Sequence, residues 1–453
     1  MTKHVSKIIV FAILALTLTG CSSLFFQRYE TNFVKVNNQR FEIGGMPYYF
    51  LGTNLWYGCY IGSKGAIGQR DRLRRELDHL NSLNINNLRI LAASEESAIK
   101  NSVKPAIQSE PGKYNEELLE GLDFLLNEMR ERNMHAVVYL NNYWEWSGGM
   151  AQYNAWFSGK KIADPEDPEF GWGGFMDYSA EFYENEKANE HFKNFISKIV
   201  TRKNKYSGLN YYEDPTIMAW QLANEPRPGR EGTAEKHLEP FYKWMEETAK
   251  YIHSIDTNHL VTTGNEGLMG SLQSEEVYLT GHKTKYIDYI TCHLWPKNWS
   301  WFDAKRIEET YPSTVEKATN YVNQHIAFAR QLQKPLVMEE FGLSRDNELI
   351  ADTTATTTRD KYFNTIFSLV YDSSATNAPI AGTNFWAWGG EGRGKNPDGK
   401  WKPGDPFVGD PLQEPQGFNS VFNTDTTTLN IISKYAKLMN GLCVPGTKQI
   451  SSK

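Results

Sequence analysis

The sequence predicts an α/β protein folded as a (β/α)8 TIM barrel. Two observations lead to this fold class: eight short apolar runs have the composition of buried strands, and amphipathic helical stretches separate them. A chain of 453 residues, 40% of them hydrophobic, is long enough for such a barrel. A doubly wound open sheet is the alternative, but no glycine-rich phosphate loop follows the first predicted strand to support it.

The predicted strands and helices alternate almost to the end of the chain. Two helical faces repeat with a period near 3.6 residues: Leu73, Leu77 and Leu80, then Leu118, Leu122, Leu125 and Met129. The eight strands are expected at residues 48–53, 86–91, 135–140, 216–222, 260–263, 289–292, 336–338 and 382–386.

Three segments fall outside this repeat. Residues 33–43 alternate in strand fashion and should form a short N-terminal β-hairpin that closes one end of the barrel. Residues 141–183 and 389–425 are too long for plain connections, so we expect long loops on the catalytic face, where they shape access. No linker or internal repeat is found, which predicts a single domain over residues 33–445 and a tail at 446–453.

The first residues have the pattern of an export signal. A basic start precedes an apolar run at residues 8–18 that is too short to span a membrane. The run ends in a tetrapeptide that resembles a bacterial lipobox, Leu18-Thr19-Gly20-Cys21. This implies cleavage before Cys21, acylation of Cys21, anchoring to a bilayer and a short tether over residues 21–32. Ser22 favours the outer membrane; an ordinary signal peptide on a periplasmic or secreted protein is the alternative.

Composition argues against several classes of function. The net charge of -6 and the lack of a basic motif speak against nucleic-acid binding. Aromatic residues make up 13% of the chain, and many lie in Gly/Asn/Pro-rich segments, as rings that stack on sugars would. Cys59, Cys292 and Cys443 allow at most one disulfide, and no Cys/His spacing matches a zinc site. We expect no metal, no cofactor and a monomer.

Two predicted strands end in glutamates that a packed core would not normally contain. The fourth strand continues into Asn224-Glu225-Pro226 and the seventh into Glu339 and Glu340. Because the C-terminal ends of parallel strands line one edge of a barrel, carboxyls from both strands should share a site. Glycoside hydrolysis needs such a pair: an acid for the leaving oxygen, and a carboxylate that attacks the anomeric carbon or activates water. A capping or merely solvated carboxylate is the alternative for Glu225.

Four motifs together resemble glycoside hydrolase family 5, over residues 33 to 443: Asn87-Leu88-Arg89, Asn224-Glu225-Pro226, Glu340-Phe341-Gly342 and Phe385-Trp386. The resemblance implies a retaining double displacement, with Glu225 as the acid/base and Glu340 as the nucleophile. Glu339 is the competing nucleophile. The family pattern, however, places the nucleophile directly before an aromatic residue and a glycine, and strand alternation points Glu339 to the other side.

The resemblance also assigns roles to residues around the pair. Arg89 should hydrogen-bond Glu340 and keep it ionised, and Asn224 should bind the 2-hydroxyl of the sugar. Burial among rings such as Trp386, together with the charge of Glu340, should favour the protonated form of Glu225.

The sixth predicted strand contributes His293 and, two residues later, Trp295. The motif favours a site role for His293. The family often has tyrosine at the position of Trp295, so a hydrogen bond from this position to the nucleophile is in doubt. Trp295 can donate an indole N–H or form a stacking wall.

Loop segments indicate the sugar. Three of them resemble family 5 β-mannanases, namely residues 52–56 with Trp56, residues 141–156 with Asn141 and Trp144, and residues 409–422. The expected activity is endo-acting hydrolysis of β-1,4-mannosidic linkages in mannan, glucomannan or galactomannan. An exo-acting β-mannosidase on manno-oligosaccharides is the alternative, because the long loops can leave the cleft open or close one end. A β-1,4-glucanase and a non-catalytic surface glycan-binding lipoprotein are further alternatives.

Overall fold

The structure, a computed structural model, describes residues 32–443. The predicted export signal, the lipobox with Cys21 and the C-terminal tail lie outside the described residues. The strands are β1 (Val34–Asn37), β2 (Arg40–Ile43), β3 (Met46–Tyr48), β4 (Phe50–Asn54), β5 (Asn87–Leu91), β6 (Gln108–Glu110), β7 (Lys113–Tyr114), β8 (His135–Tyr139), β9 (Ile217–Gln221), β10 (Leu260–Thr262), β11 (Ile290–Leu294), β12 (Leu336–Phe341), β13 (Ile380–Phe385), β14 (Trp388–Gly390) and β15 (Val421–Phe422).

The described residues also form eleven α-helices. They are α1 (Gly58–Gly62), α2 (Arg70–Ser82), α3 (Glu116–Glu131), α4 (Gly149–Ser158), α5 (Gly171–Ala180), α6 (Glu186–Val200), α7 (Leu238–Ile255), α8 (Glu275–His282), α9 (Ile307–Leu332), α10 (Thr357–Ala375) and α11 (Thr426–Gly441). In this part of the chain, no helix combines the length and the apolar character needed to cross a membrane.

Eight parallel strands form the central sheet, in the order β10-β9-β8-β5-β4-β13-β12-β11. All eight predicted strands are confirmed, with ends that differ by a few residues. The seventh strand runs on to Phe341 rather than stopping at Met338, because its backbone keeps pairing with β11. That pairing sets Glu340 beside His293 in register.

The gap between β10 and β11 is bridged by individual hydrogen bonds. The backbone N–H of Asp288 donates to the carbonyl of Val261 (2.8 Å), and the Asp288 carboxylate accepts from the N–H of Val261 (2.7 Å). The hydroxyl of Thr262 donates to the carbonyl of Tyr289 (2.9 Å). These contacts close the sheet into a barrel, which confirms the predicted fold class.

The helices pack around the sheet through the apolar stripes that the sequence predicts. Leu73, Leu77 and Leu80 of α2 are buried, as are the four apolar residues singled out in α3. The start of α3 is fixed by Asn115, whose side chain accepts hydrogen bonds from two backbone N–H groups of the first turn. Local capping and a buried face therefore agree, and α3 forms where predicted.

The N-terminal segment forms a three-stranded antiparallel sheet, β1-β2-β3, one strand more than the predicted hairpin. The second reversal occurs at Gly44 and Gly45, both in the left-handed backbone region that glycine adopts without strain. Phe41 of this sheet is buried against Phe50 and Tyr289 of the barrel. The sheet thus packs on the barrel, as the hairpin was predicted to do.

The two long segments differ in character. Residues 141–183 contain α4 and α5, so this predicted loop is largely helical. Residues 389–425 have little regular structure and are held instead by Asp410, whose buried carboxylate accepts N–H groups from Gly417, Asn419 and Ser420. Both segments contribute residues to one cavity. The three cysteines within the described residues are unpaired.

Candidate active site

A cavity of about 480 Å³ lies at the C-terminal ends of the barrel strands. Its walls combine carboxylates with indole rings. The lining residues are Trp144, Glu145, Trp146, Trp172, Asn224, Glu225, Arg227, Glu266, Met269, Trp295, Asn298, Trp299, Glu340, Trp386, Pro411, Gln413, Glu414 and Pro415.

Glu225 and Glu340 reach this cavity from opposite parts of the barrel, after β9 and from β12. Their exposed fractions are 7% and 3%. Glu225 has a positive φ of 48°, an uncommon conformation for a residue other than glycine. The backbone N–H of Glu225 donates to the carbonyl of Gly264 (2.9 Å), which holds that conformation and aims the carboxyl into the cavity.

His293 connects the two carboxyls. Its Nδ1 lies 2.6 Å from Oε1 of Glu225 and 3.3 Å from Oε2 of Glu340. A carboxylate oxygen of Glu225, a ring nitrogen of His293 and a carboxylate oxygen of Glu340 all lie within 4.8 Å of one another. One carboxylate oxygen of Glu225 therefore lies within 4.8 Å of one carboxylate oxygen of Glu340, which fits the closely spaced pair of a retaining glycosidase and leaves too little room for the water that an inverting pair must admit.

Arg89 is fully buried beneath Glu340 and holds it in place. Its guanidinium donates to Glu340, to Asn54 (3.0 Å), to Gln221 (2.7 Å) and to Asn224 (2.8 Å). The rigid guanidinium of Arg89 therefore fixes both the carboxylate of Glu340 and the side-chain amide of Asn224.

Glu339 faces a different environment. Its carboxylate accepts from Gln221 and from the hydroxyl of Tyr289 (3.4 Å), inside the barrel. Glu339 does not line the cavity, whereas Glu340 does. Strand alternation thus separates the two glutamates, and Glu340 is the one that a substrate can reach.

The electrostatics of Glu225 differ from the expectation. Burial raises the pKa of Glu225, but the hydrogen bond and charge of His293, with Arg227 and the indole N–H of Trp144, outweigh it and lower the pKa to about 2. Burial lowers the pKa of His293, yet the charge of Glu340 and the carboxyl hydrogen bonds raise it well above its ordinary value. The expectation of a raised Glu225 pKa is wrong, because the sequence did not reveal that His293 contacts its carboxyl.

One proton is shared between Glu225 and His293 as a result. With the proton on His293 the pair is an ion pair, and with the proton on Glu225 both groups are neutral. The 2.6 Å hydrogen bond lets the proton pass to Glu225 as a leaving group takes it. A proton is therefore available at Glu225 as long as the pair holds one, even though the pKa of Glu225 itself is lowered.

Indole rings form the walls of the cavity. Trp144 donates its N–H to Oε2 of Glu225 (2.5 Å). Trp295 and Trp386 lie edge to face, with ring centroids 6.1 Å apart. Of the two roles open to Trp295, this arrangement favours the wall.

Two residues predicted to bind substrate lie out of its reach. Trp56 is completely buried, and its indole N–H donates to the carbonyls of Val408 and Gly409 (3.1 and 3.0 Å). Asn141 is buried as well, and its carbonyl accepts from the backbone N–H of Asn224 (2.8 Å). Both predictions of a substrate contact are wrong. The two residues support the loops around the cavity instead.

Other residues line the cavity that the sequence did not predict. Arg227 contacts Glu266, and its guanidinium carbon lies 4.9 Å from the ring centroid of Trp144. Burial, together with the charge of Glu225, raises the pKa of Glu266 to about 7 despite Arg227. Glu266 follows the fifth strand as Glu225 follows the fourth. The sequence therefore contained the signal that could have found it, a glutamate just after a buried apolar strand. The long segments contribute further cavity residues that do not follow a predicted strand and so could not be found in this way: Glu145, Trp172, Gln413 and Glu414.

Glu225, His293 and Glu340 also present the kind of atoms that bind a metal ion. Arg89 already places a permanent cation against Glu340, and His293 directs its Nδ1 toward both carboxylates. A divalent cation at this point would be repelled by these two groups. The donor set therefore fits the chemistry of two carboxyls better than that of a metal centre.

A (β/α)8 barrel that sets two carboxyls this close together in an indole-walled cavity defines the site of a glycoside hydrolase. A family model described as "GH family 5 beta-mannosidase-like" matches residues 31–442. The chain belongs to glycoside hydrolase family 5, in its beta-mannosidase-like group.

Known proteins of this family resemble the chain over most of its length. A mannan endo-1,4-beta-mannosidase of Solanum lycopersicum is 28% identical over 381 residues, which are 82% of this chain and 86% of that protein. The structure of a family 5 mannosidase from Rhizomucor miehei, solved also with mannosyl-fructose, is 35% identical with a TM-score of 0.83 and covers 91% of this chain and 99% of its own. An endo-beta-1,4-mannanase from Thermotoga petrophila is 25% identical with a TM-score of 0.62, over 89% of this chain and 78% of its own.

Proposed function

We propose that the protein is a retaining glycoside hydrolase that cleaves β-1,4-mannosidic linkages in mannan, glucomannan or galactomannan, and that it acts as an endo-mannanase. The observation that carries the proposal is the approach of Glu225 and Glu340 to one another around His293, inside an indole-walled cavity. The mannan specificity is drawn from the relatives, which act on mannan by name.

In the first step the carboxylate of Glu340 attacks the anomeric carbon from one side. The bond from that carbon to the glycosidic oxygen breaks, and this oxygen takes the proton that Glu225 and His293 share. The cleaved chain leaves, and a mannosyl unit stays bonded to Glu340. Arg89 contacts this carboxylate directly and holds it in place for the attack.

In the second step Glu225 removes a proton from water, and the water oxygen attacks the same anomeric carbon. The bond to Glu340 breaks, and its electron pair returns to the carboxylate. Two inversions give net retention, so the released sugar is the β anomer. Asn224, fixed by Arg89 at the cavity wall, is placed to bind the 2-hydroxyl as positive charge develops on the ring.

Exo-acting hydrolysis of manno-oligosaccharides is the second candidate. The observation that favours it is the Rhizomucor miehei mannosidase, which matches this structure with a TM-score of 0.83, against 0.62 for the Thermotoga petrophila endo-mannanase. The long segments at residues 141–183 and 389–425 both border the cavity, and either can close one end of it.

A time course with mannohexaose separates the two modes. An endo-enzyme gives a mixture of short oligomers from the start, whereas an exo-enzyme gives mannose and chains shortened one unit at a time. Glucomannan, galactomannan and carboxymethylcellulose, compared side by side, test the polymer. Cleavage of carboxymethylcellulose alone would contradict the mannan proposal and support a glucanase.

The site of action is a further part of the proposal. Export, cleavage before Cys21 and lipidation of Cys21 would anchor the enzyme to the bacterial outer membrane, where it meets polymer or imported oligosaccharide. The full-length protein should fractionate with membranes, and its Cys21→Ala variant should not. Equal recovery of both proteins in the soluble fraction would contradict the anchor.

A further inference from the structure

Trp172 presents a large aromatic surface to the cavity. Its side chain is 54% exposed, at the second position of α5. The other strongly exposed large hydrophobic residues in residues 32–443 are Met46, Tyr206 and Leu349, and none of them lines the cavity. Single exposed hydrophobic residues are common on protein surfaces, but an exposed indole in the wall of a cavity offers an apolar face that a bound ligand can cover.

The ring of Trp172 is held without being covered. It lies edge to face against Trp144 (centroids 6.0 Å apart) and Phe175 (6.1 Å). Helix α5 itself is tied down, because the hydroxyl of Tyr143 donates to the carbonyl of Met176 (2.7 Å) and Arg230 donates to Asp177 (2.9 Å). The indole is therefore a fixed surface, which costs little conformational entropy when a ligand binds.

The position of Trp172 relative to Glu225 indicates which part of the substrate it meets. Trp144 donates to Glu225, and Trp172 packs on Trp144, so the order outward from the acid is Glu225, Trp144, Trp172. Glu225 protonates the glycosidic oxygen of the leaving chain under the proposed mechanism. A sugar beside Trp172 therefore belongs to the leaving chain.

The wall next to Trp172 is also built for a polar ligand. Glu145 follows Trp144 in the chain, lines the cavity and is almost completely buried. Its Oε2 has no hydrogen-bond partner within residues 32–443. A buried acceptor of this kind is normally satisfied by a bound molecule or water, and sugar hydroxyls are suitable donors.

We propose that Trp172 is a stacking platform for a mannosyl unit of the leaving chain, and that it sets the preference of the enzyme for longer substrates. The occupant is a β-1,4-linked mannosyl residue, whose apolar ring face lies on the indole. This inference rests on the proposed β-mannoside hydrolysis.

The test compares two substrates in the Trp172→Ala variant of the full chain. Mannohexaose supplies sugars on the leaving side, whereas 2,4-dinitrophenyl β-mannoside has none. Loss of the stacking surface should lower kcat/KM for mannohexaose about tenfold, mainly through a higher KM. The fall in kcat/KM for the aryl mannoside should be at least several times smaller. The Trp172→Phe variant should keep most of the wild-type kcat/KM, since an aromatic ring remains. Met46→Ala, at the far end of the barrel, is the matched control for removing an exposed apolar side chain.

Equal losses on both substrates would assign Trp172 a structural role and overturn the proposal, as would full activity of Trp172→Ala on mannohexaose. Trp172→Leu repeats the test if the alanine variant does not fold. A wild-type enzyme that hydrolyses neither substrate would instead contradict the proposed function itself.

Discussion

Glu225 and Glu340 face each other across the imidazole of His293, whose Nδ1 lies 2.6 Å from one carboxylate and 3.3 Å from the other. The two carboxyls come from strands that are far apart in the sequence, and the barrel brings them together. His293 shares a proton with Glu225, while Arg89 holds Glu340. The two carboxyls are therefore in different environments, as an acid and a nucleophile must be.

Replacement of either carboxyl should abolish normal turnover by different routes. Glu225→Ala and Glu340→Ala should each reduce hydrolysis of mannohexaose by several orders of magnitude, roughly 10³-fold or more, because one of the two displacements loses its essential group. Initial rates measured alongside circular dichroism spectra check this, with an unchanged spectrum showing that the fold survives.

Added azide distinguishes the two roles. With an aryl mannoside that has a good leaving group, azide should restore turnover of Glu225→Ala and give the β-mannosyl azide, because the glycosyl-enzyme still forms. In Glu340→Ala it should give the α-mannosyl azide by direct attack. The opposite pattern would mean that the assignments of acid/base and nucleophile are reversed.

Loss of His293 should change the pH profile. In the wild type the Glu225–His293 pair keeps its shared proton to high pH, since carboxyls raise the pKa of His293 well above its ordinary value. In His293→Asn the proton rests on Glu225 alone, so the alkaline limb of kcat/KM should move to lower pH by about one unit or more. His135→Asn, at the N-terminal end of β8, is the matched control. An unmoved alkaline limb in His293→Asn would show that the pair does not share the catalytic proton.

Arg89→Lys should be far from conservative. Lysine keeps the positive charge but loses the planar fork that contacts Asn54, Gln221, Asn224 and Glu340 together. We expect kcat to fall about 100-fold, through misplacement of Glu340 and loss of about 2–3 kcal/mol of transition-state stabilisation. Steady-state kinetics on mannohexaose measure the effect; a variant within twofold of wild type would mean that charge alone suffices.

Glu95 should make the fold less stable at alkaline pH. Burial raises its pKa to about 8, although the N–H of Gly149 donates to it (2.8 Å). The folded protein keeps this proton at pH values where the unfolded chain has lost it, above about 4.5, so stability declines as pH rises from there and the loss is complete above pH 8.

Glu95→Gln keeps an acceptor for Gly149 and removes the charge. It should raise the free energy of unfolding at pH 9 by a few kcal/mol and change it little at pH 4. Urea unfolding at the two pH values tests this, with Glu96→Gln as the control at the neighbouring, partly exposed position. A gain of the same size at both pH values would rule out deprotonation of Glu95 as its cause.

The sequence was sufficient to predict the barrel and the meeting of Glu225 and Glu340 at one cavity, and the reason is periodicity. Buried strands and amphipathic helices leave a local pattern, and carboxyls at strand ends stand out against apolar neighbours, as Glu225 and Glu340 do. Strand alternation also separated Glu340 from Glu339 correctly.

The rest depends on tertiary contacts that no local pattern records. Trp56 looked like a sugar platform but is buried under residues from the loop after the last barrel strand. The contact of His293 with Glu225, which reverses the expected pKa shift, joins two strands that are not neighbours in the sheet. Trp172 lies on a helix inside a segment expected to be a loop. The positions of Trp56 and Trp172 depend on how long segments fold over the barrel, whereas the contact of His293 with Glu225 depends on how the barrel closes.

Mass spectrometry of a trapped glycosyl-enzyme identifies the nucleophile of the proposed mechanism. A 2-deoxy-2-fluoro-β-mannosyl fluoride should inactivate the enzyme by forming a stable ester, because the fluorine slows the second displacement more than the first. A digest of the inactivated enzyme should carry the fluoromannosyl mass on Glu340. A label on Glu339 or on Glu225, or hydrolysis of the reagent without any adduct, would contradict it.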